Sequence, residues 1–348
     1  AQRFASLDEL EIANGSGDTD TLTGVETINY GGVMASGDLS GGTSEDITGA
    51  FRRFESDGTS LLGTHDSLAT AIDNASSGEI IIIADGTSVT SDVTVDQAGI
   101  TLLGSGANGN AASIESTLTI EANNVTVRGL DFSPSTPDDT SIFVHEESGD
   151  GAVIDANTFA GNGNSTAVAT KSTIKGFDVT DNFIAGGARA VKIEALDNGG
   201  NNDTVISGNT ITGMASEGVF LGDVNGASGT VTIVDNSFST TPIGVDIGVT
   251  GGIASGSSII IRDNNFTIAD SEVGVRADGV LGSFLDASLG ESVLANDFIM
   301  TGSGDGTKVD ITQTDGNPNQ IVITDSGDQD ITGSAGGDVV RLGGGDDT

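Results

Sequence analysis

The chain has no cysteine and no tryptophan, a single tyrosine, 4 prolines, and 12 Lys plus Arg against 51 Asp plus Glu. Without cysteine there is no disulfide, no thiolate metal site and no cysteine nucleophile. So few cations leave a formal charge of −39 over 348 residues. Such a surface repels phosphate, which excludes nucleic acids and anionic membranes as natural partners. No apolar run approaches the roughly 20 residues of a membrane-spanning helix. The longest, Ile80–Ala84, has the length of a buried strand. Ala1–Leu10 has neither a basic nor an apolar stretch, so it does not read as a signal peptide. The shortage of Trp and Tyr also argues against a saccharide cleft, because ligand clefts lean on aromatic faces.

What is present is glycine, 53 residues, and a hydrophobic fraction of 36% drawn mostly from Val, Ile, Leu and Phe. That fraction is enough to bury a core, so the acidity does not signal disorder. A repeat organises the apolar residues: an aliphatic residue, two spacers, usually Asn, one spacer, then Phe or Ile. It occurs at Val127–Phe132, Ile154–Phe159, Val179–Ile184, Ile206–Ile211, Ile233–Phe238, Ile261–Phe266 and Val293–Phe298. Its fourth positions, 130, 157, 182, 209, 236, 264 and 296, are 25 to 32 residues apart. About ten residues later comes a second alternating group: Ile142-Phe-Val144, Val191-Lys-Ile193, Val219-Phe-Leu221, Val245-Asp-Ile247, Val273-Gly-Val275 or Val309-Asp-Ile311. A third precedes the motif, as in Thr230–Val234 and Ser258–Arg262. Each unit therefore supplies two or three short strands with one face inward, and such a unit closes a core only by stacking on its copies.

This pattern resembles the right-handed parallel β-helix family, the solenoid of pectate lyases and phage tailspikes, over residues 65–325. The expected fold class is all-β. With rungs about 4.8 Å apart, nine or more of them would make a rod of roughly 45 Å. The resemblance implies an amide ladder of Asn157, Asn182, Asn209, Asn236, Asn264 and Asn296. It also implies an inward column of Phe132, Phe159, Ile184, Ile211, Phe238, Phe266 and Phe298. Position 130 is Leu, so the ladder is expected to begin one rung later. Ahead of the first rung, Ser67 is placed to cap a short helix, Leu68–Ala75, whose Leu68, Ala71, Ile72 and Ala75 share a face and would cover the open end.

At the C-terminal side, Gly333–Arg341 matches the nine-residue pattern G-G-x-G-x-D-x-U-x except for Ser334, and Leu342–Thr348 begins another copy. These segments resemble the RTX calcium repeats. The resemblance implies Ca²⁺ held by Gly333, Gly336, Asp338, Gly343, Gly345, Asp346 and Asp347, with carbonyls and carboxylates as hard oxygen ligands. Asp18–Ile28 looks like the closing strand of such a block. The expected domains are an N-terminal β-rich region at 1–64, partly RTX-like, the β-helix at 65–325, and the start of the calcium repeats at 326–348. A stretch that stops in mid-repeat suggests a segment of a larger repetitive protein, or a subunit whose ends complete each other between neighbours.

Catalytic readings compete with this scaffold reading. The outward column of the second strand group reads Phe143, Val168, Lys192, Phe220, Asp246, Gly274 and Asp310. Lys192 and Asp246 would lie two rungs, about 10 Å, apart, too far for a directly paired base. Lys192 and Glu194 read as a solvated pair. His65 precedes the capping helix, and His145 stands beside Glu146 and Glu147. A pectate-lyase-like site would need an Asp cluster and an Arg, and Arg276 with Asp278 and Asp246 is the nearest approach. The Tyr- and His-containing signature of alginate epimerases, which also join a β-helix to RTX repeats, is absent. Gly104–Gly109 spells G-x-G-x-x-G but no helix pattern follows it, and the sequons at Asn164 and Asn202 carry little weight. The expectation is a secreted, calcium-dependent structural protein of a bacterial surface: a surface-layer or filament subunit, or an adhesin stalk. It would associate with itself or with cell-surface polysaccharide. A polysaccharide lyase, epimerase or glycosidase is one alternative. The other is a glycan-binding module using Ser133–Thr140, Gly222–Gly229 and Gly248–Ser257.

Overall fold

The computed structural model describes residues 50–58, 60–104, 111–145, 149–170, 173–196, 203–223, 230–249, 258–269 and 271–279. It also describes short strands at 28–30, 33–35, 293–294, 297–300, 307–313, 320–322, 330–332 and 339–341. The chain winds as a parallel β-solenoid in which every turn gives one strand to each of three sheets. In the turn that begins at Ala152, Ala152–Asp155 enters the first sheet, Thr158–Ala160 the second and Thr166–Thr170 the third. Six turns with described side chains carry the Asn-type motif, at 130, 157, 182, 209, 236 and 264, fewer than the nine or more rungs expected. Flanking turns that lack the motif, or lie beyond the described side chains, prolong the sheets, so that the second sheet reaches nine strands.

Alternation drives the inward faces. Ile81, Leu102, Val127, Ile154, Val179, Ile206, Ile233 and Ile261 occupy one column of the first sheet in strict register, and all are 0% exposed. They belong to one continuous core running from Phe51 to Val275. From Arg128 onward the corner between the first and second sheets is two residues long, as in Asp155 to Thr158 and Ser207 to Thr210. Its first residue has a positive φ: Gly129 at 67°, Ala156 at 53°, Asp181 at 54°, Gly208 at 67°, Asp235 at 57° and Asp263 at 56°. A left-handed Ala costs about 1–2 kcal/mol, so the corner geometry is imposed by the stack rather than by local preference.

The second corner residue is the ladder asparagine. Asn157, Asn182, Asn209, Asn236 and Asn264 are only 1–2% exposed. Asn209 Nδ2 donates to Val179 O one turn back at 2.8 Å, to Ser207 O at 3.1 Å and to Asn236 Oδ1 one turn ahead at 2.9 Å. Its Oδ1 accepts from the backbone N–H and the Nδ2 of Asn182. Leu130 starts the column without an amide, and its N–H donates to Asn157 Oδ1 at 3.1 Å. Asn296 lies outside the described residues.

Two places on, the inward column is buried from Phe132 to Phe266. Phe132 and Phe159 stack with centroids 4.8 Å apart, and Phe238 and Phe266 at 4.7 Å with a 5° tilt. Such stacks add about 0.5–1.5 kcal/mol beyond their buried area. Ile184 and Ile211 separate them at 0% exposure, and Phe298 pairs in register with Phe266. The rings dictate glycine across the core. A Cβ on Gly218 would sit 2.8 Å from Phe238, and one on Gly244 2.6 Å from Phe266.

The N-terminal end is closed as expected, with changes. The Ser67 side chain accepts from Thr70 N, and the helix runs Leu68–Asp73, shorter than Leu68–Ala75. Ala75 is still buried. An antiparallel hairpin, Phe51–Phe54 and Leu61–His65, extends the first sheet beyond its first parallel strand, Ile80–Ile83. His65, which precedes the cap as expected, is the last residue of a strand.

Replacing Asn209 with Leu should lower stability by roughly 3–6 kcal/mol, because Val179 O, Asn182 N–H and the neighbouring amides lose their partners inside the core. Urea melts against wild type measure it; a change under 1 kcal/mol, within the range of an ordinary surface substitution or little above it, would mean that the ladder is not holding the turns together.

Candidate functional site: the outer face of the third sheet

The third sheet has the longest strands, Arg189–Leu196, Glu217–Asp223, Ile243–Val249 and Val273–Gly279, so its outer face offers the widest platform for side chains. Pairing fixes one outward column as Thr94, Thr119, Phe143, Ala169, Lys192, Phe220, Asp246 and Arg276, with the backbones of Asp310 and Asp330 level with it. Two members of the expected column are therefore corrected. Val168 pairs with Ile142 and Val191 and is 0% exposed, so Ala169 takes its place. Arg276, not Gly274, follows Asp246, because the inward residue of that strand in register with Val245 is Val275.

That correction brings Arg276 and Asp246 together. Arg276 Nε donates to Asp246 Oδ1 at 2.9 Å and its terminal nitrogen to Oδ2 at 2.7 Å, a two-pronged match of planar groups. The carboxylate is 4% exposed and the guanidinium 33%. Phe220 lies on the other side of Asp246 in register. Lys192 and Asp246 are two strands apart, with Phe220 between them. Lys192 Nζ instead meets Glu194 at 2.6 Å as a partly exposed pair.

A second group was not foreseen. Arg189 and Glu217 face each other in register, with Nε and Oε2 2.6 Å apart. Neither atom has hydrogen-bond geometry, so the contact is electrostatic rather than directed. The Arg189 guanidinium also lies 5.5 Å from the Phe220 ring centre, within cation–π range. The signal was the extra polar residues two places before each aliphatic pair, Arg189 before Val191 and Glu217 before Val219. Their meeting requires the register. Phe220 borders a floor without side chains, since a Cβ on Gly248 would lie 3.1 Å from its ring. Chemically the face provides a cation–carboxylate–aromatic strip in which Glu194, Glu217 and Asp246 are each matched by a cation.

The remaining expected positions are distributed differently. His145 is half-buried, its N–H donating to Ile120 O, while Glu146 and Glu147 lie outside the described residues. Only the backbone of Asp278 is described, paired with Gly248. Gly333, Gly336, Asp338, Gly343, Gly345, Asp346 and Asp347 all lie outside the described residues. The described strands among them pair in parallel, Asp310 with Asp330 and Gln320 with Val339. Among the described residues there is no group of three or more His, Cys, Asp or Glu placed to hold a metal ion, and no helix is long and apolar enough to cross a membrane.

Two carboxyls are perturbed by burial. Asp178 faces outward on the first sheet between Val153 and Val205; desolvation raises its pKa, and a hydrogen bond from the Val205 N–H opposes the rise. Burial also raises the pKa of Asp85, whose Oδ1 has no hydrogen-bond partner. No protein-family model, curated protein or solved structure matches this chain.

Removing one partner of a buried ion pair costs roughly 3–5 kcal/mol. With the guanidinium a third exposed, Arg276→Ala should cost less, about 1–3 kcal/mol. Adding Asp246→Asn should recover part of that loss. A double variant as unstable as the sum of the two singles would show that the pair is not coupled.

Asp178 holds its proton more tightly folded than unfolded, so folding is favoured as pH falls through its raised pKa and is penalised above it. Asp178→Asn should therefore raise the melting temperature at pH 7, with the gain fading as pH falls through the raised pKa and gone at a pH below the ordinary carboxylate value of 3.8. Equal shifts at both pH values would remove Asp178 as the source.

Proposed function

We propose that this chain is a structural element of an extracellular bacterial surface, a rigid rod whose stability and assembly respond to Ca²⁺. Its place would be a surface-layer subunit, a filament subunit or the stalk of an adhesin. The observation that carries this reading is the unbroken column of buried amides from Asn157 to Asn264, each bonded to the next along the column. Such a column invests the chain in stiffness along one axis. On the outer surface, several acids are held by cations of an adjoining turn: Asp155 by Arg128, Asp150 by Lys175, Glu217 by Arg189 and Asp246 by Arg276. Charges committed to each other in this way suit a solvated scaffold.

The calcium part is supported by the change of step toward the C-terminal side. Third-sheet pairings advance by 30 residues from Ile243 to Val273 and 34 from Val273 to Thr307. They then advance by 20 from Asp310 to Asp330, and the pair Gln320 and Val339 is 19 apart. Two nine-residue Gly/Asp repeats span nearly that length, and the first repeat, Gly333–Arg341, begins within the second of these intervals, Gln320 to Val339. A net charge of −39 works in the same direction, since divalent ions relieve repulsion between acids that are forced together. Extracellular calcium sites work at a Kd of about 10⁻⁴–10⁻³ M.

Calcium at ten times such a Kd should stabilise the protein by about 1.4 kcal/mol per site. The melting temperature should rise in Ca²⁺ and fall with chelator, and negative-stain images should show particles or filaments in Ca²⁺ alone. Unsaturated uronates or new reducing ends from a polysaccharide panel would establish the enzyme reading instead. Glycan-array hits without turnover would establish the binding-module reading.

A further inference from the structure

The hairpin that finishes the first sheet leaves its own outer strand unpaired. Leu61–His65 is the terminal strand of that sheet, and among the described residues no strand pairs with its far side. Exposed edges are normally blunted by Lys, Pro or a bulge turned outward, because an open row of N–H and C=O groups templates pairing with another chain. Leu61-Leu-Gly-Thr-His65 carries no Lys, no Pro and no acid. Its one irregularity lies on the covered side, facing Arg53 and Phe54. Leu61 and Leu62 are 40% and 41% exposed, two of the three large hydrophobic residues exposed among those described.

Charge points to the occupant. Over Phe51–His65, Arg52 and Arg53 balance Glu55 and Asp57, so this hairpin is locally neutral on a chain of net charge −39. Copies of so acidic a protein repel each other over most of their surface and approach most easily where the field is weakest. A strand pairing antiparallel with its own copy needs no second surface, and two-fold contacts of this kind close on themselves.

We propose that Leu61–His65 is a docking strand for a second copy of this chain, the two strands pairing antiparallel across a two-fold axis near Gly63. Leu62 would then stand opposite Thr64 of the other copy, and both leucines would leave water. The proposal deepens the self-association in the function proposed above by naming the strand that performs it. It does not require calcium.

Sedimentation of the full chain in chelator keeps calcium-driven assembly out of the readout. The expected species is a dimer of twice 34.7 kDa. Leu62→Lys should halve that mass and leave the circular dichroism spectrum unchanged. Gly63→Cys is a second probe in a chain with no native cysteine, and its added Cβ would meet nothing closer than the His65 ring at 3.5 Å. On oxidation it should cross-link to a dimer faster than Thr158→Cys on the exposed face of the second sheet. A wild-type monomer in chelator overturns the docking strand, while calcium-dependent particles decide the broader reading separately. A dimer untouched by Leu62→Lys, or cross-linking of Gly63→Cys no faster than Thr158→Cys, also overturns it.

Discussion

An asparagine side chain held at 1–2% exposure has to satisfy two donors and an acceptor without water, and in this rod the adjoining turns satisfy them. Leaving any one of these groups unpaired costs about 1–3 kcal/mol, so each turn is bound to lie at one height and one angle relative to the next. The rest of the structure follows from that constraint. The aliphatic columns of the first sheet stay in register because the corner that follows them is pinned. Phe132 can lie flat on Phe159, and Phe238 on Phe266, only because the pinned corner repeats the ring position within 5 Å. Gly218 and Gly244 are then required opposite the rings, since nothing larger fits.

The same logic explains why the outer face holds close ion pairs despite the chain's acidity. Parallel pairing with no slip places position-equivalent side chains of successive turns side by side. A carboxylate at one turn therefore finds whatever charge the next turn carries: Asp246 finds Arg276, Glu217 finds Arg189, and Asp155 finds Arg128. With only 12 cations in the sequence, where they stand matters more than how many there are. Asp178 shows the opposite case. Its register neighbours are Val153 and Val205, so it has burial without a cation and its pKa rises.

The ladder, the inward ring column, the capping helix and the solenoid class were all legible in the sequence, because each rests on a residue type at a fixed interval. Register on the third sheet was less legible. Thr166–Thr170 has a single strong aliphatic residue, and both Ala167 and Val168 face the core, so strict alternation fails there and Val168 was placed outward. In Val273–Gly279 the visible pair Val273 and Val275 suggests a register two residues off, because Val273 stands level with Ile243 and it is Val275 that pairs with Val245. Side-chain meetings that depend on register, Arg189 with Glu217 among them, could not be read before the strands were paired. The hairpin at Phe51–His65 was hidden for another reason: it runs antiparallel and carries no copy of the repeat.

The constant two-residue corner has a consequence for how the chain can vary. Between the third sheet and the next first-sheet strand, the connection ranges from Val95 to Thr101 up to Gly279 to Val293, and between the second and third sheets from Ala185 to Arg189 up to Phe132 to Thr140. The amide corner never changes length. Along the amide column, from Gly129 onward, the rod's circumference is therefore divided into one fixed seam and two elastic ones, whereas the two turns before it, Ile83 to Ser88 and Gly104 to Ser113, have longer corners there. Insertions at the elastic seams add new surface without disturbing the pitch, whereas a single residue added at the fixed seam would throw every later turn out of phase. Natural variation in such a chain should accumulate at two corners and spare the third.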